Sequence, residues 1–432
     1  MDGTGAPARW HRRRRGSATP GPSARVRPAR GSQYEREGVD VATDSAVRDG
    51  PPVAGAGPPG HAGDPTDAAG ARRRAHELRL RLERRNLAAW VLVPGASLRY
   101  FTGARVEAGG RLVLFVQPME APPVVVAPDF ELSGLRAALG DISGLRLVGY
   151  RDETGPAPAV ARALGFLGAR PTPLGAEFGA MRLSERVAVE GAIPRARWQP
   201  IDADVAALRQ VKEPQEIVAL RHAARLALRA VLAGIQAVGA GEHERGVAAA
   251  CGAVLAAHGA YSPSGIRVAS GPQGADPHAT GAERELGAGD VCRIDVGASY
   301  DGYLAHITRS VVVPGAEPAP ALGRALEVVR AAQQAALNAV RPGNTAEGVD
   351  RAARQVVSAA GLGQHFPHRT GRGLGLDAHE PPYLVEGNGE PLRPGMVFTL
   401  EPGLYLPGVG GVRLADVVLV TAAGAEVLTT AN

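Results

Sequence analysis

The pattern of apolar and polar positions divides the chain into three parts. Residues 1–70 are rich in Gly, Pro, Ala, Ser and Arg with almost no periodic apolar pattern, so we expect a disordered tail. Residues 71–205 alternate between helical and strand-like periods, which predicts a small α/β domain. Residues 206–432 show longer helical periods and further strands, and the length of the chain allows a second, larger domain there.

Gly and Pro bound the apolar runs of the smaller domain. A charged amphipathic helix is predicted at 72–86, residues 94–103 read as a loop after the first strand, and 201–211 as the link between domains. The first strands are predicted at 90–93, 112–116 and 124–127.

Clear start signals mark the helices of the larger domain. Pro214 suits the first helical position and Glu216 the first turn, which predicts a helix to about residue 238. Thr345 suits the N-cap of a later helix. The further helices are predicted at 243–258, 321–340 and 346–360, and strands near 264–270, 290–297, 303–313, 396–401 and 411–421.

Composition and charge exclude several classes of protein. The sequence has no apolar run of membrane-spanning length, so we expect no membrane partner. Its two cysteines, Cys251 and Cys292, cannot form a disulfide framework, which favours a cytoplasmic location, and Cys292 is predicted to be a buried, inert thiol. The net charge of +5 comes almost entirely from Arg, with Lys212 the only lysine, and we predict no nucleic-acid partner because the basic run 12–15 lies in the tail.

Four blocks carry the candidate chemistry. They read Gly-Asp-Val-Cys-Arg-Ile-Asp-Val-Gly-Ala at 289–298, Gly-Tyr-Leu-Ala-His-Ile-Thr-Arg-Ser at 302–310, Thr-Gly-Arg-Gly-Leu-Gly-Leu-Asp-Ala-His-Glu-Pro at 370–381, and Thr-Leu-Glu-Pro-Gly…Gly-Val-Arg-Leu-Ala-Asp within 399–416. Together they resemble the aminopeptidase P, prolidase and creatinase family. The resemblance implies a creatinase-type N-terminal domain followed by a pita-bread domain, and by analogy a homodimer.

In the peptidases of that family the blocks supply Asp, Asp, His, Glu and Glu to two divalent metals. The same slots here hold Asp295, His306, Arg372, Glu401 and Ala415. The family set carries four negative charges, whereas two carboxylates and one guanidinium leave about −1 here, too little to balance two dications in a dry pocket. The resemblance therefore implies a degenerate metal site with no cofactor, and a single ion on Asp295, His306 and Glu401 is the alternative.

Arg372 changes the electrostatics of this site most. A guanidinium has no lone pair for a metal and stays charged. Two carboxylates about 4 Å apart at an effective dielectric of 20 repel by roughly 4 kcal/mol. We expect Arg372 to bridge Asp295 and Glu401; the alternative is a side chain turned to solvent, because Gly371 and Gly373 leave space.

Two histidines remain as candidate proton carriers. His278 follows a strand and a Gly/Pro loop and matches the family His beside the substrate, although a structural loop His is the alternative. His379 matches a second family His, with Asp377 as a candidate partner that orients it. Creatinase, which cleaves a C–N bond without metal, has a His and a Glu that correspond to His278 and Glu401.

Three functions follow from the resemblance. The first is a metal-independent hydrolase or lyase acting on a small amide, amidine or amino-acid derivative. The second is a non-catalytic pita-bread binding protein, and the third a conventional Xaa-Pro peptidase with one metal. Thr308 replaces creatinase's other catalytic Glu, and with Arg372 this makes a neutral or anionic small-molecule substrate the better fit. The predicted catalytic residues are His278, Glu401 and His379, and the predicted substrate-binding or charge-compensating residues are Asp295, Arg372, His306, Thr308 and Arg413.

Overall fold

A computed structural model describes residues 68–140, 142–167, 172–280 and 283–430. Most of the predicted tail 1–70, including the basic run 12–15, lies outside the described residues. Its last three residues belong instead to the first helix, which starts at Ala68. Among the described residues, no helix has the length and apolar character needed to cross a membrane.

The N-terminal region is a six-stranded mixed sheet with helices on both faces. The strand order is β4-β3-β2-β1-β5-β6, with β1 parallel to β5 and antiparallel to β2. Its helices are α1 (Ala68–Leu82), α2 (Ala96–Thr102), α3 (Leu132–Leu139), α4 (Ala157–Leu164), α5 (Leu183–Ala192) and α6 (Asp202–Arg209). Its strands are β1 (Ala89–Leu92), β2 (Leu114–Pro118), β3 (Val124–Pro128), β4 (Arg146–Tyr150), β5 (Thr172–Ala176) and β6 (Ala196–Pro200).

Strand β1 shows why both faces are covered. Trp90 and Leu92 point into one apolar cluster, whereas Ala89 and Val91 point into the other. Successive side chains of a strand lie on opposite faces, so a fully apolar strand needs a layer of helices on each side. The prediction of an α/β layer is therefore confirmed.

Two segments predicted to be irregular are helical. The loop expected at 94–103 contains α2, which is flanked by glycines with positive φ, Gly95 and Gly103, and buries Leu98 and Phe101. The link expected at 201–211 contains α6, which buries Val205 against the same cluster. Both helices are short, and packing against the sheet supplies the stability that isolated turns lack.

The C-terminal region consists of two helix pairs and three antiparallel sheets. The helices are α7 (Pro214–Ala237), α8 (Glu244–Ala257), α9 (Pro320–Ala339) and α10 (Ala346–Ala359). The sheets are β7-β8-β9, β11-β10-β12-β15-β16 and β13-β14. The strands are β7 (Ile266–Ser270), β8 (Val291–Tyr300), β9 (Tyr303–Val312), β10 (Gly371–Gly373), β11 (Glu380–Leu384), β12 (Val397–Leu400), β13 (Gly403–Leu406), β14 (Gly410–Arg413), β15 (Asp416–Thr421) and β16 (Gly424–Val427).

Most elements predicted in this region are confirmed. Pro214 occupies the first turn of α7, where the Glu216 carboxylate accepts from the backbone of Glu213, and the Thr345 side chain caps α10. The single strand predicted at 411–421 is wrong, because the chain leaves β14 and Ala415 pairs with the backbone of Thr308 before β15 begins. That crossing joins the sheet of β7–β9 to the second half of the region.

Each helix pair covers its own apolar core. One core lies between α7, α8 and strands β7–β9, and the other between α9, α10 and strands β10–β15. Cys251 and Cys292 are both buried in the first core as free thiols, and burial raises the pKa of Cys292 to about 12. Cys292 is therefore protonated at neutral pH, as expected of an inert core thiol.

Candidate active site

The register of β7–β9 places the first half of the site on one sheet face. Arg267 on β7 is opposite Asp295 on β8, and Asp295 is opposite Thr308 on β9. His306 lies two residues before Thr308 on the same strand. Directly opposed residues, and residues two apart on one strand, share a face. These side chains are far apart in the sequence, but the sheet brings them together on one face.

The second half comes from the strands beyond α10. Arg372 is the middle residue of β10, Glu401 follows β12, and Arg413 ends β14. The Glu401 backbone N–H donates to the carbonyl of Thr370 at 2.7 Å, which fixes the start of the Glu-Pro turn beside Arg372. The two halves face one another across a cavity of about 530 Å³.

Asp295 is held by three groups. His306 Nε2 and Arg413 Nη2 each lie within close ion-pair distance of its carboxylate, and Thr308 Oγ1 donates to it at 3.3 Å. Burial alone would raise the pKa of Asp295, but His306 and Arg413 outweigh it and hold that pKa well below its usual range. Asp295 is therefore ionised and fully engaged.

Glu401 has a different partner. Its Oε2 lies 3.3 Å from Arg372 Nη1 and 3.8 Å from His306 Nδ1. Burial again opposes ionisation, but Arg372, His306 and Arg413 lower the pKa of Glu401 below its ordinary value. The imidazole of His306 thus lies between the two carboxylates, with one ring nitrogen facing each.

The predicted Arg372 bridge is half wrong. Arg372 pairs with Glu401 and donates to Thr399 Oγ1 at 2.6 Å, whereas Asp295 is paired by Arg413 from the end of β14. The solvent-turned alternative is also wrong, since the Arg372 side chain is only 7% exposed. Arg372 compensates the charge of Glu401, and Arg413 compensates the charge of Asp295. The prediction had assigned both carboxylates to Arg372.

The cavity brings together all three residues predicted to be catalytic. His278, His379 and Glu401 line it, together with Arg372, Arg413 and His306. Asp295, Thr308 and Ala415 do not line it; all three are buried, and Asp295 and Thr308 contact each other. Partial burial, Arg372 and Arg369 lower the pKa of His379, which keeps this imidazole neutral at neutral pH.

The sequence analysis missed three titratable residues that line the cavity: Arg267, His368 and Arg369. Arg369 comes immediately before the block at 370–381, and Arg267 precedes Ser270 on a predicted strand, so alternation along β7 was a usable signal for Arg267. His368 Nε2 shares a hydrogen bond of 3.0 Å with Tyr405 Oη. Burial lowers the pKa of His368.

The predicted Asp377–His379 partnership is replaced by a contact to the end of α6. Asp377 accepts from Arg209 Nη2 at 2.7 Å, and the same nitrogen donates to Glu380 at 2.6 Å. Lys212 Nζ donates to the other Glu380 oxygen at 2.6 Å. We call Arg209, Lys212, Asp377 and Glu380 the linker cluster; its two carboxylates lie on either side of His379 in the sequence.

The family resemblance implies two divalent metals, and the residues present do not fit them. Within the described ranges, no group of three or more His, Cys, Asp or Glu side chains is arranged to hold a metal ion. The nitrogens of His306 face two different carboxylates, so their lone pairs do not converge on one point, and Arg372 offers only donors. Ala415 supplies no ligand at all.

Comparison with known proteins identifies the relatives. Residues 218–422 match the model of metallopeptidase family M24, and residues 74–211 match the creatinase/prolidase N-terminal domain. A probable dipeptidase PepE of Mycobacterium tuberculosis is 39% identical over 340 residues, covering 78% of this chain and 89% of the relative. A Xaa-Pro dipeptidase of Pyrococcus furiosus is 38% identical over 233 residues, covering 54% and 66%. The crystal structure of a Thermococcus sibiricus prolidase superposes with a TM-score of 0.77 at 31% identity, covering 84% of this chain and 97% of that one.

These findings confirm the fold class, a creatinase-type N-terminal domain followed by a pita-bread domain. The relatives are named as enzymes that cleave C–N bonds, which confirms the prediction of an enzyme of this type. Their names favour the third predicted function, a conventional metal-dependent Xaa-Pro peptidase, over the first, a metal-independent hydrolase or lyase. The homodimer, the cytoplasmic location and the domain boundaries 71–205 and 206–432 stay predictions. The chain belongs to metallopeptidase family M24.

Proposed function

We propose that this chain is a dipeptidase-like hydrolase that cleaves the C–N bond of a short peptide or a similar small amide. The observation that carries the proposal is the convergence of His278, His379 and Glu401 on one cavity beside Arg372. The relatives named dipeptidase and prolidase support the same reaction class. A volume of about 530 Å³ suits a ligand of dipeptide size.

His278, His379, Glu401 and Arg372 each have a role in this reaction. Water attacks the amide carbon, the developing oxyanion is stabilised by Arg372 and His379, and the C–N bond breaks as the amine leaves. His278 exchanges the proton between water and the leaving amine. Glu401 is ionised and accepts a hydrogen bond from the attacking water, while Asp295 holds His306 and Arg413 in place.

We further propose that the reaction proceeds without a metal pair. The charge of the five family slots, about −1, would leave two dications largely unbalanced in a buried site. Arg372 and Arg413 already neutralise the two carboxylates that remain. In this proposal the guanidinium of Arg372, which lines the cavity, donates hydrogen bonds to the amide oxygen in place of a metal.

A Xaa-Pro dipeptidase with a single metal is the second candidate. It is favoured by the names of the relatives and by the closeness of His306 to both Asp295 and Glu401. It requires Arg413 and His306 to leave their present contacts with Asp295. The Asp295 carboxylate and the His306 imidazole would then be free to bind one ion together with Glu401.

The test is hydrolysis of a panel of short peptides, including Xaa-Pro dipeptides, followed by mass spectrometry of the released amine. The full chain is assayed as purified, after exhaustive chelation, and after reloading with Mn²⁺, Co²⁺ or Zn²⁺, with its metal content measured in parallel. We expect turnover that survives chelation and falls at least about 100-fold in His278→Gln. His258→Gln, an exposed residue at the end of α8, is the matched control.

Other outcomes separate the alternatives. Loss of turnover on chelation with recovery on one equivalent of metal would establish the single-metal dipeptidase. No cleavage in any metal state, with partner binding unaffected by His278→Gln, would leave the non-catalytic binding protein.

A further inference from the structure

The cavity carries more positive charge than its own carboxylates balance. Four arginines line it, Arg267, Arg369, Arg372 and Arg413. Arg413 pairs with Asp295 and Arg372 with Glu401. Within the described residues, neither Arg267 nor Arg369 has a carboxylate within ion-pair distance, so two guanidinium charges remain unbalanced when the histidines are neutral.

Arg369 is held by stacking, and among the described residues no hydrogen bond engages its guanidinium. Its guanidinium lies over the ring of Tyr383, 4.4 Å from the centroid. Stacking uses the flat face of a guanidinium and leaves the N–H groups at its edge available for hydrogen bonds. A planar fork of donors fixed in this way matches the geometry of a carboxylate.

Arg267 comes from the opposite half of the site. It stands on β7 in register with Asp295, whose carboxylate is engaged by His306, Arg413 and Thr308. Arg267 therefore lies near a negative charge that is already compensated, and it remains available to a ligand in the cavity. Arg369, in contrast, precedes β10 in the other half.

We propose that this cavity selects a substrate with two carboxylates, one bound by Arg267 and the other by Arg369. The inference rests on the proposed function and narrows its substrate class to small amides of acidic amino acids, such as an aminoacyl or N-acyl aspartate or glutamate. Two unbalanced guanidinium groups from opposite halves attract a dianion more strongly than a monoanion and disfavour a cation. A ligand of this size with two acidic groups fits a cavity of about 530 Å³.

Binding is measured by calorimetry on the full chain, because binding does not depend on turnover. The probes are N-acetylaspartate, N-acetylasparagine and N-acetyllysine amide, which differ in charge at similar size, and inorganic phosphate. We expect N-acetylaspartate to bind at least about tenfold more tightly than N-acetylasparagine, and this preference to weaken as salt rises. No binding is expected for the lysine derivative.

Two variants assign the effect to the proposed residues. Arg267→Gln and Arg369→Gln should each lower the affinity for N-acetylaspartate about tenfold. Their affinity for N-acetylasparagine should fall less. Arg330→Gln on α9, an exposed arginine outside the cavity lining, is the control and should leave both affinities unchanged. Thermal unfolding of each variant reports whether the fold is retained.

The outcomes distinguish this inference from the proposed function. Equal affinity for the three amides, or variants that behave like Arg330→Gln, would overturn the dicarboxylate preference even if peptides are hydrolysed. Tighter binding of phosphate than of N-acetylaspartate would overturn the choice of carboxylate. Selective binding of N-acetylaspartate without any peptide cleavage would support the inference while the hydrolase proposal fails.

Discussion

Two clusters of charged side chains lie close together in this chain, and their charges balance differently. The linker cluster pairs Arg209 and Lys212 with Asp377 and Glu380 through contacts of 2.6–2.7 Å, which gives two charges of each sign. The cavity sets four arginines against Asp295 and Glu401. The first cluster is neutral by itself, whereas the second carries an excess of two positive charges.

The difference separates structural from functional use of charge. Buried ions are tolerated when they are paired and hydrogen-bonded, and the linker cluster meets that condition without any ligand. It joins the end of α6 to the segment that carries His379, so its role is to fix that segment. An excess of charge facing a cavity has no structural explanation and points instead to a ligand of opposite sign.

Restoring the family donor set should give the largest effect. The triple variant His306→Asp, Arg372→His, Ala415→Glu removes one guanidinium and gives the five positions four carboxylates and one imidazole, the set that binds two divalent ions. We expect about two Mn²⁺ or Co²⁺ per chain by elemental analysis after dialysis, against much less than one for the native chain.

A matched variant isolates the contribution of Arg372. His306→Asp with Ala415→Glu keeps the guanidinium, and it should remain unable to hold a metal pair because the Arg372 cation stays beside Glu401. If this double variant binds two ions as well as the triple variant does, the charge of Arg372 does not control metal binding in this cavity.

The next largest effect is expected when the linker cluster is broken. Glu380→Gln leaves Arg209 and the fully buried Lys212 without their shared carboxylate. We expect the free energy of unfolding to fall by about 3–5 kcal/mol in urea titrations, because removal of one partner leaves buried charges uncompensated. Asp377→Asn is the control, since Asp377 is half exposed and its loss should cost about 1 kcal/mol or less. Equal costs for the two variants would contradict this account of the cluster.

Arg209 should affect turnover more than substrate binding. It donates to both Asp377 and Glu380, which flank His379, so Arg209→Met should loosen the segment and lower kcat about tenfold with KM little changed. Arg209→Lys should recover part of kcat because it restores the charge. A merely structural role would lower stability in Arg209→Met without a drop in the kcat of the folded fraction.

The sequence predicted those elements whose signals are local. Helices α7 and α10 begin where Pro214 and Thr345 place them, and β8 and β9 follow from long β-rich runs. Helix α2 was missed because a seven-residue helix depends on burial of Leu98 and Phe101 against the sheet, which no periodicity over so short a span reveals.

The sequence predicted which residues belong to the site, but it did not predict which of them contact one another. The motif blocks located His379, Glu401 and Arg372, and the match to a family His located His278; all four residues line the cavity. The direction of each arginine depends on residues far apart in the chain, such as Arg413 and Asp295, which are separated by 118 positions. The linker cluster joins residues up to 171 positions apart, and the motif block at 370–381 contains its two carboxylates but not Arg209 or Lys212.

The smallest effect is expected at an ion pair in solvent. Arg111 and Asp152 are bonded at 2.6 Å, but their side chains are 50% and 59% exposed. The hydrogen bond from Arg111 lowers the pKa of Asp152, so any stabilisation is present above the ordinary carboxyl pKa and is lost as pH falls through the lowered value. Because water and salt screen both charges, Arg111→Gln should leave the urea midpoint unchanged within error at neutral pH and 0.5 M salt. A loss as large as that of Glu380→Gln would mean that burial does not decide the cost of breaking an ion pair here, and the contrast between linker cluster and cavity would then need another physical basis.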